Sequence, residues 1–443
     1  MPVDRTHTLE TPRSRLSPTV KLLGWVSFFS DVSSEMAYPL LPLFVTGVLG
    51  AGGAELGVIE GLNAVMVALL TGWAGRHSDA KRGGRPRRVR FVRWGYALPV
   101  VGKAIVAGAI SWPMVLVGRS IDRVGKGLRG APRDALIADA TRPQDRGRAF
   151  GFHRAMDTGG AFVGVVAAAG ILWWMGASQG ESMSTGIRAI LILSAGVGAA
   201  SVVCTLFLRE TAQANSAEGH GSARSDDTPP DRSDIQEVAA EADAEGGLGR
   251  RYWWTLTPLL LFAMANSSDA FILLLAADLG LTPLSLVLAY ALYNLSYTLA
   301  SYPAGVLSDR IGKWRMIAGG WLLYAAAYAG FAQAGGSAIW GLMALYGVYA
   351  AMTEGVGKAL VSNVAPPGRR GTALGVLSMS IGLVMLAASV VAGVLWDRVS
   401  HAAPFWFGAT ISVLAVATIP LAHRAAGRAR APGHSAHTGV PVR

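Results

Sequence analysis

Apolar residues in this chain fall into long runs with few charges, separated by short polar stretches. Runs of about 18–25 residues are long enough to cross about 30 Å of hydrocarbon as helices, each residue rising about 1.5 Å. The pattern predicts twelve such spans, at 21–48, 56–75, 91–111, 113–131, 148–175, 186–208, 253–279, 283–305, 315–334, 337–362, 372–396 and 402–422. The predicted fold class is an all-α membrane protein of two six-helix bundles.

The connections alternate in charge. Arg82, Arg85, Arg87 and Arg88 follow span 2, and Arg142, Arg146 and Arg148 follow span 4. Arg310, Lys313 and Arg315 follow span 8, and Arg369 and Arg370 follow span 10, whereas the stretches near 49–55, 112 and 335 carry no basic residue. Basic loops stay on the cytoplasmic side, so both termini are expected there, which requires an even number of crossings. Residues 209–251 are rich in Ala, Ser, Gly, Asp and Glu and are expected to form a disordered cytoplasmic linker. The expected organisation is a tail over 1–20, a bundle over 21–208, the linker over 209–251, a second bundle over 252–423 and a basic tail over 424–443. Residues 1–19 have no apolar core, so the first span is expected to serve as its own insertion signal.

Composition agrees with this pattern. Of 443 residues 52% are hydrophobic and 15% charged, against about 25% charged in soluble domains. The net charge of +11 could suggest nucleic acid, but the arginines lie in blocks between apolar runs, and topology accounts for them without a nucleic-acid partner. The single cysteine, Cys204, sits in an apolar run and is read as packing; no intrachain disulfide and no metal or cofactor site is expected.

Shifting the chain by about half its length exposes an internal repeat, as a duplicated bundle would leave. Gly75 to Asp79 lies over Gly305 to Asp309, and Val124-Gly125-Lys126 over Val356-Gly357-Lys358. Arg146 to Gly151 lies over Arg370 to Gly375, and Ser30-Asp31 over Ser268-Asp269. On these motifs the chain resembles the major facilitator superfamily over nearly its whole length outside the linker and tails. The family's loop signature is complete in the second half as Gly305, Asp309, Arg310, Gly312 and Lys313. In the first half Gly75 and Asp79 match, Ala80 replaces the arginine, and Lys81 to Arg85 is stretched. Leu208-Arg209-Glu210-Thr211 is similar to the family's Pro-Glu-Thr ending of helix 6, with arginine for proline. The helix 5 antiporter signature departs, Val165 following Gly164 where the family has proline.

Ionisable side chains at bilayer depth cost about 2.5–3.5 kcal/mol each and tend to face a wet cavity or a partner. Span 1 places Asp31 and Glu35 one turn apart, and two close carboxylates suit proton binding near neutral pH. Span 2 adds Glu60, span 3 Lys103, and span 4 Arg119, Asp122, Arg123 and Lys126, with Asp122 and Lys126 spaced to pair. Span 5 adds His153, Arg154 and Asp157; span 7 adds Asp269 with Asn266; span 8 adds Asn294; and span 10 adds Glu354 and Lys358 at pairing distance. The bland reading is mutual neutralisation between neighbouring helices. Gly75, Asp79, Arg146, Arg148, Gly305, Asp309, Arg310, Gly312 and Lys313 are expected at a cytoplasmic gate, where an aspartate can sit on a helix N-terminus.

The resemblance implies a secondary active transporter that moves a small solute by alternating access, with protons as the expected coupling ion and export as one possible direction. Arg119, Arg123, Lys126 and Arg154 suggest an anionic or zwitterionic substrate, while Asp31, Glu35 and Asp269 could equally attract a cation. Multidrug efflux and a transporter-like sensor without flux are the alternatives. An embedded enzyme is weaker, since no nucleophile–base set stands out. A monomer in the inner membrane is expected.

Overall fold

The computed structural model describes residues 15–41, 43–51, 53–80, 87–175, 180–210, 247–266, 270–281 and 283–428. These residues form thirteen α-helices with short 3-10 and π turns. In the first half they are α1 (Pro18–Ala37), α2 (Gly53–Asp79), α3 (Arg88–Ala107), α4 (Trp112–Asp139), α5 (Arg146–Trp174) and α6 (Gly180–Leu206). The second half holds α7 (Arg250–Ala265), α8 (Ala270–Asp278), α9 (Pro283–Ile311), α10 (Lys313–Ala332), α11 (Ala338–Val364), α12 (Arg370–Arg398) and α13 (Ala403–Arg428).

The helices account for twelve spans because span 7 is broken. Helix α7 stops at Asn266 and α8 begins at Ala270. Span 1 breaks similarly: α1 passes into a 3-10 turn at Tyr38–Leu40, where Pro39 has no N–H to continue the ladder, and then a π turn at Leu43–Val48. The start of α1 is locally encoded, with Ser17 Oγ accepting from Val20 N at 3.3 Å and Pro18 in the first turn.

Several helices outrun their apolar cores. Helix α4 continues to Asp139, eight residues beyond the predicted end at 131, and Pro132 lies within it. At 27–29 residues, α2, α4, α5, α9, α11 and α12 reach about 40 Å, longer than the hydrocarbon layer. Four helical stretches among the described residues, Pro143–Trp174, Ser184–Leu206, Arg370–Arg398 and Ala403–Ala422, are apolar enough to cross a membrane on composition alone.

Within the first half α3 packs on α4 and α1 on α5 and α6; within the second, α9 packs on α11 and α7 on α13. Between halves the main contacts are α5 with α9 and α2 with α12, the crossed pairing of a two-fold pseudo-symmetric molecule. The cores differ. The second half is filled with aromatic rings: Phe262 stacks on Trp321 at 4.7 Å between centroids, Tyr324 on Tyr328 at 4.0 Å and Tyr293 on Tyr346 at 5.4 Å. The corresponding space in the first half holds charges.

Candidate functional site: a charged cavity above a symmetric helix-capped seal

At the end of the molecule that carries the basic loops, the halves meet through two equivalent devices. Asp79, at the end of α2, accepts from Gly371 N at 3.2 Å and Thr372 N at 2.6 Å in the first turn of α12, and from Thr372 Oγ1 at 2.9 Å. Asp309, near the end of α9, accepts from Gly147 N at 2.9 Å and Arg148 N at 2.7 Å in the first turn of α5. Each carboxylate satisfies orphan N–H groups and lies at the positive end of a helix dipole. Lys313 Nζ sits 3.0 Å from Asp309 Oδ1, the oxygen that accepts from Gly147 N.

Glycine makes these crossings possible. A Cβ on Gly75 would lie 2.3 Å from Gly371 O, and one on Gly305 would lie 2.3 Å from Gly147 O. The backbones therefore touch only because both positions lack a side chain. Gly312, at φ +96°, ends α9 in the left-handed region and leads into α10. Arg146 is buried and donates to Ala138 O, Ser362 O and Asn363 Oδ1, tying the seal to α11. Arg148 pairs with Asp145 at 3.7 Å. Arg310 projects from the surface instead of joining the seal.

The part of α4 beyond residue 131 carries three ionic groups, Arg133, Asp134 and Asp139. Asp139 is buried and bridges Arg88 of α3 to Arg370 of α12, the latter at 2.5 Å, while Arg88 also donates to Asp79 at 2.7 Å. Arg88 is thus a buried structural cation, only 1% exposed, and not simply a topological loop charge. Asp134 pairs with Lys358 of α11 at 2.8 Å and with Arg133 at 3.2 Å. The signal in the sequence was the continuing three-and-four spacing of Arg119, Arg123, Lys126, Arg129 and Arg133 past the apolar run.

Above the seal lies a cavity of about 430 Å³ enclosed mainly by α1, α2, α3 and α4. Its charged walls are Asp31, Glu35, Lys103, Arg119, Asp122, Arg123, Lys126 and Arg129. A second cavity of about 400 Å³ adjoins it between the halves, sharing Asp31, Glu35, Lys126 and Arg129 and adding Arg154, Asp157, Asn294, Glu354 and Lys358. Both open onto Tyr290 of α9, so the space runs from the first bundle to the domain boundary.

The pairings inside differ from those expected from spacing. Asp122 does not pair with Lys126; its carboxylate turns to Arg119 at 3.5 Å and Arg123 at 3.6 Å, which flank it on the same helix. Lys126 has no ion-pair partner within 4 Å among the described residues and is exposed to the cavity. Glu354 and Lys358 do not pair with each other either. Glu354 meets Arg154 of α5, and Lys358 meets Asp134 of α4, so both bind across the halves. Arg154 also pairs with Asp157 at 2.8 Å and lies over the Tyr297 ring at 4.8 Å. Asp157 and Asp31 face one another from α5 and α1 on the wall of the second cavity.

Lys103 donates to Ser33 Oγ at 2.6 Å and Ser34 Oγ at 3.1 Å. Arg129 donates to Gly95 O and Ser30 Oγ and lies over the Tyr96 ring at 4.4 Å. His153 is packed away from the cavity, its Nε2 2.8 Å from Ser27 Oγ. Glu60 lies within α2, its side chain outside the described set, and Asp269 lies outside the described residues. Of the predicted site, the structure therefore brings together Asp31, Glu35, Lys103, Arg119, Asp122, Arg123, Lys126, Arg154, Asp157, Glu354 and Lys358 around connected cavities.

The sequence profile of the Major Facilitator Superfamily matches residues 23–275 and 255–441, and the chain belongs to that family. It is 30% identical over 406 residues to an uncharacterized MFS-type transporter of Methanocaldococcus jannaschii, covering 90% of this chain and 93% of the relative. The fold matches the fucose:proton symporter FucP of E. coli with a TM-score of 0.68 at 15% identity, over 91% of this chain and 98% of that one. It matches the human organic anion transporter MFSD10 with a TM-score of 0.67 at 17% identity, over 91% and 99% of the two chains. The protein is a multi-pass membrane transporter of the family's two-bundle fold.

Proposed function

We propose that this protein is a proton-coupled secondary active transporter of the plasma membrane, moving a small polar or charged solute by alternating access through the cavity bounded by Asp31, Glu35 and Lys126. In this reading the basic-loop end is cytoplasmic, the Asp79 and Asp309 capping contacts are the closed inner gate, and the conformation is outward-facing. The observation that carries it is the location of a connected, ion-lined space directly above a seal made twice by symmetry. Such a seal holds one end shut through a few hydrogen bonds and glycine crossings, contacts that can release together.

Proton coupling is supported by carboxyl groups that line the cavity beside cations. Asp31 and Glu35 share one face of α1 and line the second cavity with Asp157, whose partner Arg154 binds Glu354 in the other half. Protonation in the cavity thereby touches the contacts that join the bundles. The test is a thermal-shift screen of the purified protein against metabolites, metal chelates and drugs, followed by flux of each hit into proteoliposomes carrying a lumenal pH dye. Asp31→Asn and Glu35→Gln are expected to abolish proton-driven flux while leaving insertion intact. Full flux in the double variant contradicts the assignment, and binding without flux favours a sensor.

A further inference from the structure

The described cavity walls carry five cations, Lys103, Arg119, Arg123, Lys126 and Arg129, and three carboxylates, Asp31, Glu35 and Asp122. These groups are not equally committed. Asp122 lies between Arg119 and Arg123, Lys103 is held by two serine hydroxyls, and Arg129 is held by a carbonyl, a hydroxyl and an aromatic face. Lys126 extends into the space without an ion pair among the described residues. Glu35 is its counterpart. One carboxyl oxygen of Glu35, Oε2, is buried with no hydrogen-bond partner, and Lys126, Arg123 and Lys103 line the same cavity.

An inward-aimed carboxylate among cations, with one oxygen unsatisfied, is a weakly held internal anion. A buried acceptor without a partner costs about 1–3 kcal/mol, so the arrangement is easily exchanged for a better one. An external anion with two or three oxygens could satisfy Lys126 and Arg123 together, as guanidinium and ammonium groups do for carboxylates and phosphates. On α4 these cations stand three residues apart on one face, about 4.5 Å along the axis, which suits the span of one such group.

We propose that the cavity takes a small organic anion, a carboxylate or a phosphate monoester, whose anionic group replaces Glu35 as counter-ion to Lys126 and Arg123, Glu35 taking up one proton as the anion enters. This rests on the transporter reading and assigns its substrate class. The proton taken up by Glu35 offsets one of the negative charges that the ligand brings, and Lys126 and Arg123 face the remainder. The other charged groups that line the cavities with Glu35 include Asp31 on its own helix, Lys103 on α3, and Asp157 on α5. Asp157 is paired with Arg154 and Arg133, and Lys103 is held by Ser33 and Ser34, whereas Glu35 keeps an unsatisfied oxygen and is the acid placed to exchange. The aromatic filling of the second half leaves the anion to the first bundle, with Tyr290 closing the cavity from across the boundary.

The experiment uses the purified full chain and measures binding of succinate, glycerol phosphate, glucose and choline by thermal shift and calorimetry between pH 8 and pH 6. Succinate, glycerol phosphate or both are expected to bind and stabilise, and glucose and choline are not; which anion binds distinguishes carboxylate from phosphate. Affinity should rise up to about tenfold per pH unit as the pH falls, the signature of one linked proton. Glu35→Gln should bind the same anion with affinity that no longer follows pH, a change that misfolding does not produce. Lys126→Gln should weaken binding at least tenfold, and Lys126→Arg should restore most of it. Binding by neither anion, equal binding of glucose or choline, or an unchanged pH slope in Glu35→Gln overturns the proposal. Flux of a neutral or cationic solute with no anion binding would overturn it while sparing the transporter reading, and anion binding without flux would do the reverse.

Discussion

Asp134 of α4 and Lys358 of α11 meet at 2.8 Å across the two halves, with the Asp134 side chain only 2% exposed. A buried, cross-domain pair of this kind reports on which arrangement of the bundles is present, because it breaks when they tilt. Lys358→Gln removes one partner while Arg133 still neutralises Asp134 at 3.2 Å. We expect the sealed state to lose about 2 kcal/mol, the low end for truncating a hydrogen-bonded charge pair. In a Cys204→Ser background with Ala149→Cys, which is buried at the seal, alkylation by a membrane-impermeant maleimide should speed up more than tenfold in inside-out vesicles. An unchanged rate would mean that the pair is not part of the lock.

The two capping aspartates make equivalent contacts to helix N-termini but differ in their cations, buried Arg88 for Asp79 and Lys313 for Asp309, so removal of either should loosen the seal. Asp79→Asn and Asp309→Asn each weaken charge-assisted bonds to helix N-termini, at about 1 kcal/mol. The same alkylation assay should show an increase for each variant, at least as large for Asp79→Asn, and a larger one for the double variant. A strong effect from one variant with none from the other would count against a symmetric gate.

Gly75→Ala and Gly305→Ala place a Cβ 2.3 Å from a backbone carbonyl of the opposite half. No flexible side chain can yield there. These variants should insert normally and melt within a few degrees of the parent, but lose flux more than tenfold because the sealed state cannot form. Normal flux in either variant would show that the crossing opens without consequence.

Glu210 lies beyond the end of α6, where burial pushes its carboxyl above the usual range despite the bond it accepts from Val89 N at 2.7 Å. A raised carboxyl favours the folded state when protonated. Its contribution is therefore fully present below the unfolded value and lost as pH rises through the folded one. Glu210→Gln keeps an acceptor for Val89 and removes the charge, so it should melt higher than the parent at pH 7 and converge with it near pH 4. A variant less stable than the parent at pH 7 would contradict this.

Much of the frame was legible because lipid imposes simple rules: apolar run length, the parity of basic loops and the repeat of Gly75–Asp79 as Gly305–Asp309 lead to twelve spans and the paired capping contacts. Pairings inside the bundle were less legible. Asp122 and Lys126 have the right spacing, yet Arg119 and Arg123 compete for the same carboxylate, and sequence distance does not rank such rivals. Asp134 and Asp139 were missed because the apolar run of α4 ends before its helix does, Pro132 notwithstanding. Arg88 sits among topological arginines in the sequence, and only the approach of α2 and α4 makes it a buried bridge.

Alternating access requires the bundles to rock about the ion-lined cavity, a motion that electron–electron distance measurements read at both ends of the molecule. With Cys204→Ser as background, spin labels at Arg142 and Arg315 report on the basic-loop end, and labels at Trp174 and Arg398 report on the other. Between pH 8 and pH 6, or on adding a bound ligand, one pair should lengthen by several ångströms as the other shortens, and Glu35→Gln should abolish the pH response. Distances that stay fixed at both ends, or that lengthen at both together, would contradict alternating access in this protein.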